Sequence, residues 1–121
     1  MNAITPNRSE TRKSAAPLPF SAKGPAEGLL VTLDAKPGKQ EELAALLSNA
    51  LHAAAREPGT LTWYAYRITD TKFGIFDTFF TEEARAAHLD GEIARALGQV
   101  GAELLAAPSR IQPISIVTSK I

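Results

Sequence analysis

TLTWYAYRITDTKFGIFDTFF, Thr60–Phe80, sets the topology of this chain. Thr60–Ile68 is rich in β-branched and aromatic residues, which suit a pleated, half-buried surface, so it reads as a strand. The polar residues that follow make a turn, and Lys72–Phe80 resumes the pattern as a second strand. The two runs form an antiparallel hairpin. On the first strand Trp63 and Ala65 point one way, and Tyr64, Tyr66 and Ile68 the other. The turn does not fix the register. If Thr69 pairs with Lys72, Trp63 and Arg67 share a face with Phe76 and Thr78 while Asp77 faces away. A one-residue bulge reverses that assignment.

Upstream of the hairpin, GLLVTLDA from Gly28 to Ala35 is a first strand, broken by KPGKQ. From Lys39 the spacing of Leu43, Leu46, Leu47, Ala50, Leu51 and Ala54 at three and four residues predicts a helix with one apolar stripe. Pro58 and Gly59 stop it. Downstream, Thr81 is a good N-cap, and Glu82 and Glu83 follow in the first turn, where the helix dipole favours acids. That short helix, with Ala84, Ala87 and Leu89 as its apolar residues, is expected to point His88 inward, and it ends around Asp90-Gly91. A further helical stretch has Ile93, Leu97, Val100, Gly101, Leu104 and Leu105 on its apolar face and stops at Ala107-Pro108. RIQPISIVTSKI, residues 110–121, is a final strand, with Pro113 marking it as an edge or bulged strand.

The order β-α-β-β-α-β predicts an α+β, ferredoxin-like fold, with a four-stranded antiparallel sheet carrying two helical layers on one face. The other face is then bare, although Tyr64, Tyr66 and Ile68 lie on it. An exposed apolar patch of several hundred Å² is rarely tolerated by a monomer. A homodimer packed sheet to sheet is therefore expected, with an interface of roughly 1,500 Å² or more.

The 121 residues are enough for one core, 45% of them are hydrophobic, and 13 basic residues balance 13 acidic ones. No basic stripe suggests nucleic-acid binding. The absence of cysteine excludes disulfides, thiol catalysis and thiolate metal sites. With no membrane-length apolar run and no secretory signal, a cytoplasmic location is expected. Residues 1–27, with Pro6, Pro17, Pro19 and Pro25 and few large apolar side chains, read as a flexible or extended arm in which Leu18 and Phe20 could dock on a surface. The folded domain is expected over residues 28–121.

KPGKQEEL, AREPGTLTWYAYR, FGIFDTF and EEARAAHL together resemble the antibiotic biosynthesis monooxygenase domain, the dimeric α+β barrel group, over roughly residues 28–121. The resemblance implies a ligand pocket between sheet and helices. It also implies, for members with a known reaction, oxidation of hydroxylated aromatics or quinols by O₂ with no metal or flavin. Other members degrade haem, and many have no assigned activity. Haem-degrading relatives place a histidine where this chain has Gly98 and an asparagine near Val31, so haem is not expected here.

Within that frame His88, Arg67 and Asp77 are the candidate catalytic residues, and Trp63, Tyr66 and Phe76 the candidate substrate contacts. An imidazole near neutrality serves as a base or is simply held in place. Arg67 either pairs with a phenolate or makes a strand-end ion pair with Asp70 or a helix acid. Asp77, in an apolar strand, must be paired, hydrogen-bonded or facing a wet pocket, and it can hold Arg67 or His88, or accept a proton. Trp63 walls a pocket for a flat ligand or packs in the core. No second histidine or acid stands at metal spacing from His88, so no metal is expected. His52 reads as a surface residue. The leading expectation is a cofactor-free monooxygenase. The alternative is a non-catalytic module of the same fold that binds a small aromatic or serves a stress response.

Overall fold

The computed structural model describes residues 24–121. Its elements are β1 (Glu27–Asp34), α1 (Gln40–Ala55), β2 (Thr60–Arg67), β3 (Lys72–Phe79), α2 (Glu82–Leu89), α3 (Glu92–Leu104) and β4 (Arg110–Ser115). The strands form one antiparallel sheet in the order β2-β3-β1-β4, which is the expected ferredoxin-like arrangement. The arm predicted over residues 1–27 lies largely outside the described residues.

The hairpin register resolves in favour of Asp77. Ile68 N–H donates to Lys72 O at 2.7 Å, and the Thr69 hydroxyl accepts from Lys72 N–H at 3.1 Å. The loop is therefore Thr69–Thr71, and Trp63 pairs with Asp77, Ala65 with Ile75 and Arg67 with Phe73. Trp63, Arg67 and Asp77 thus share the helix-facing side, while Phe76 and Thr78 lie on the other. On β3, Phe73, Ile75 and Phe79 lie on the helix-facing side too, where Phe73 pairs with Leu33, Ile75 with Val31 and Asp77 with Leu29 of β1. A one-residue slip would turn all of them to the open face. The irregularity sits instead near Leu61, between the Thr60 and Thr62 pairs.

Leu43 and Leu47 of α1 close the core over the sheet, with Leu105 beyond α3. Burying a side chain of this size contributes about 1.5–3 kcal/mol. Leu51, assigned to the same stripe, is 53% exposed instead, because Ala50 and Ala54 occupy the contact line. Helix α2 is unusual. His88 is its one buried residue, and Ala87 and Leu89, expected to face inward, are exposed. Polar anchors dock it instead. One is His88; the other is Arg85, whose guanidinium reaches Glu27, Gly28 O and Ile114 O at 3.0, 3.3 and 3.0 Å. The Thr81 hydroxyl caps α2 as expected, accepting from Ala84 N–H at 3.1 Å.

Strand β4 is an edge, as Pro113 requires, but it is shorter than expected. Its ladder ends at Glu27–Ser115, where β1 itself begins. The far face of the sheet carries the Tyr64–Phe76 stack, with ring centroids 6.4 Å apart, and Tyr66 lying over Gly74. A Cβ at Gly74 would stand 2.3 Å from the Tyr66 ring, so only glycine lets that ring lie down.

Candidate functional site

Asp77 stands mid-strand on β3, facing the helices and only 1% exposed. A carboxylate so deep needs a counter-charge. It comes from α2, where His88 Nε2 lies 2.9 Å from Asp77 Oδ2. The other ring nitrogen, Nδ1, lies 2.6 Å from Glu57 Oε1, on the loop after α1. Glu57 is held in turn by the Thr60 hydroxyl, which donates to Oε1 at 2.8 Å. Three elements thus converge on one imidazole that is 8% exposed, its ring 5.3 Å from that of Phe79.

Burial alone would push the His88 imidazolium toward deprotonation. The hydrogen bonds and charges of Asp77 and Glu57 outweigh it and hold His88 above its ordinary value. A carboxylate stands beside each ring nitrogen, so the protonated ring faces an acid on both sides. An imidazolium in that state has no lone pair to act as a base. Because the two acids approach opposite edges of the ring, the three groups do not converge on a common point. Among the described residues no trio of His, Asp and Glu is placed to hold a metal ion.

The glycine after this helix has a steric reason. A Cβ at Gly91 would stand 2.9 Å from Glu57 Oε2 and 3.0 Å from His88 O. Any larger residue would require the Glu57 carboxylate to shift. Glu57 was missed as a functional candidate. The signal was present in the EPG segment, where an acid precedes the turn that leads into the Trp63 strand.

The Asp77 contact with His88 is an ion-pair contact rather than a well-directed hydrogen bond. Neither Asp77 oxygen has a hydrogen-bond partner among the described residues. Trp63, directly across the ladder, has a buried Nε1 in the same condition. Trp63 and Glu57 also line a shallow cleft of about 280 Å³, walled by Leu51, Ala54 and Leu61.

The remaining candidates are not brought to this cluster. Arg67 shares the sheet face but sits at its hairpin end, beside Glu41 Oε2 at 2.8 Å, hydrogen-bonded to Asp70 O and stacked on Phe73. This is the strand-end ion pair, with both of the acids considered. Tyr66 and Phe76 project from the opposite face, away from Trp63, Asp77 and His88. His52 is exposed on α1.

The profile of the family described as antibiotic biosynthesis monooxygenase matches residues 28–99. Among solved structures, a protein of unknown function from Nitrosomonas europaea is 40% identical, with a TM-score of 0.79 over 80% of this chain and 94% of that one. A Pseudomonas aeruginosa protein is 20% identical, with a TM-score of 0.68 over 78% and 97% of the two chains. SnoaB, a cofactor-independent oxygenase from Streptomyces nogalater, shares the fold at 12% identity and a TM-score of 0.66, over 79% and 97%. No protein of curated function matches the chain.

Proposed function

The chain belongs to the antibiotic biosynthesis monooxygenase family, and we propose that it is a cofactor-independent monooxygenase acting in the cytoplasm on a hydroxylated aromatic or quinol. The observation that carries this reading is the buried Glu57–His88–Asp77 cluster beside Trp63, an ionised group of unusual depth for so small a core. Buried ionisable clusters of this kind concentrate at sites of chemistry.

In this reading the substrate is itself the reductant. An electron-rich phenol or hydroquinone passes electrons to O₂, one oxygen atom enters the ring carbon to give a quinone, and the other leaves as water with the substrate's two displaced hydrogens. The protein positions the ring, excludes bulk water and manages the hydroxyl proton. Trp63 supplies the wall. Asp77 supplies the proton acceptor, and His88, held as a cation, supplies the electrostatic support. Arg67, committed to Glu41 and Asp70, takes no part. Tyr66 and Phe76 serve instead, with Tyr64 and Ile68, in a sheet-to-sheet homodimer.

Oxygen-electrode measurements with a panel of hydroquinones test the activity. The expected result is one O₂ consumed per quinone formed, above the autoxidation rate, and lost in Asp77→Asn. Uptake equal to autoxidation across the panel overturns it. The dimer is tested separately by sedimentation, where a mass near 12.9 kDa at micromolar concentration would contradict it. A second reading, binding without turnover, is favoured by the closeness of Phe79 to the His88 ring, and predicts saturable ligand binding with no O₂ uptake.

A further inference from the structure

The strand order leaves β2 at a free edge of the sheet. Ile68 N–H bonds Lys72 O, so the pairs in step with it, Tyr66–Gly74, Tyr64–Phe76 and Thr62–Thr78, exchange the ladder hydrogen bonds. Trp63 and Ala65, between them, turn their N–H and C=O groups to the open edge, where no strand lies among the described residues. The cleft of about 280 Å³ opens beside the first half of this strand, between Leu61 and Trp63 of β2 and Leu51 and Ala54 of α1. An open edge next to an apolar cleft is a template for an added strand.

We propose that its occupant is the chain's own segment Pro17-Leu18-Pro19-Phe20, which precedes the described residues, added antiparallel to β2 with Leu18 and Phe20 in the cleft. This goes beyond the functional reading above and does not depend on turnover.

The alternation in the segment suits one side of a sheet only. In a strand, residues two apart share a face and turn their N–H and C=O groups to the same edge. Leu18 and Phe20 therefore offer both side chains to one face and both donors to one edge. Pro17 and Pro19, which have no N–H, fall on the other edge, where prolines are tolerated in edge strands. A residue bonded to Trp63 across the open edge carries its side chain on the same face as Trp63, the helix-facing side, where the cleft lies. The pairing that uses the two available donors thus sends the two apolar side chains into the cleft. The prolines then leave no donor on the outer edge for a further strand.

The chain also arrives at the right end of β2. Ala26 N–H bonds Phe79 O, and Phe79 pairs with Thr60, where β2 begins. From the line of β1 to a position outside β2 is three strand spacings, about 14 Å. The six residues from Phe20 to Ala26 span up to about 20 Å. Coming from the Thr60 end, the segment runs against β2, with Phe20 beside Leu61 and Leu18 beside Trp63. Charge favours this closure, since residues 1–23 hold four basic residues and one acid, against nine and twelve in residues 24–121. The family match begins at residue 28, so the segment lies outside the shared domain.

Amide hydrogen exchange at Trp63 and Ala65 reads the edge directly, because an uncovered edge N–H exchanges freely. In the wild-type chain both amides are expected to exchange at least about tenfold more slowly than in the full-length double variant Leu18→Ser/Phe20→Ser. Pro19→Ala, which alters only the outer edge, leaves that protection in place. Equal exchange in the wild type and the double variant overturns the proposal, as does loss of protection in Pro19→Ala. The chain has no cysteine, so a spin label on Ser21→Cys is unique. It is expected to broaden the Trp63 indole N–H resonance of the molecule that carries it. No broadening, or broadening only in unlabelled copies mixed with labelled ones, overturns the proposal, and the second outcome assigns the edge to another copy of the chain.

Discussion

The helix-facing side of the sheet carries an acid–base network at each end. At the hairpin end, Arg67 meets Glu41 and Asp70. At the other, His88 meets Glu57 and Asp77. The contact distances overlap, from 2.8 to 3.6 Å at the first and 2.6 to 2.9 Å at the second. The surroundings do not. Arg67 is more than a third exposed, so water and salt screen its partners, and such pairs add little. Asp77 and His88 have almost no water to fall back on. There the protonation state of one ring decides whether a buried carboxylate has a counter-charge. Similar chemistry gives a surface ornament at one end and a structural and functional commitment at the other.

The largest test of that contrast is His88→Ala. It leaves Asp77 buried without its cation and removes the one buried anchor of α2. A loss of about 3–5 kcal/mol in denaturant unfolding is expected. A loss no larger than for an ordinary surface substitution would show the cluster to be as screened as the hairpin end.

Next is the pH dependence. His88 is raised above its ordinary value, so the folded state holds that proton more tightly than the unfolded state. Its contribution is fully present below about pH 6.5, the unfolded value, and is lost as pH rises through the raised folded value. Stability should therefore fall across that window in the wild type. In Glu57→Gln, which removes one of the two charges that raise His88, the fall should end at lower pH and be smaller, with a loss of about 1–3 kcal/mol relative to the wild type below that window. An unchanged profile would separate Glu57 from the imidazole. Gly91→Ala should act in the same direction as Glu57→Gln but more weakly, by crowding Glu57 rather than removing it. The smallest effect is expected from Arg67→Ala, with no resolvable change in Tm and the same pH profile as the wild type.

Periodicity made most of the fold legible. The period-two aromatic runs gave the hairpin, the Leu43–Leu47 spacing gave α1, and Pro113 gave the edge strand. Those signals are local. What stayed hidden depends on contacts between distant segments. The register turned on the Thr69 hydroxyl taking up Lys72 N–H, which left Thr69–Thr71 as the loop. The partner of His88, Glu57, lies 31 residues away and meets it only when the loop after α1 packs against α2. Tyr66 and Phe76 were drawn into the site by their chemistry, although alternation along β2 already separated Tyr66 from Trp63. The inward direction of His88 rests, in the sequence, on Ala84, Ala87 and Leu89, of which Ala84 is half-buried and the other two are exposed. Its burial comes from its two carboxylate partners rather than from an apolar face.

The account stands most directly on the protonation state of His88. With two histidines in the chain, a ring-nitrogen NMR titration assigned with His52→Gln isolates it. The prediction is that both His88 nitrogens carry protons at pH 7, with a midpoint above the ordinary value of about 6.5 that moves down in Glu57→Gln. A neutral His88 at pH 7, in a single tautomer and titrating at or below that ordinary value, would contradict it.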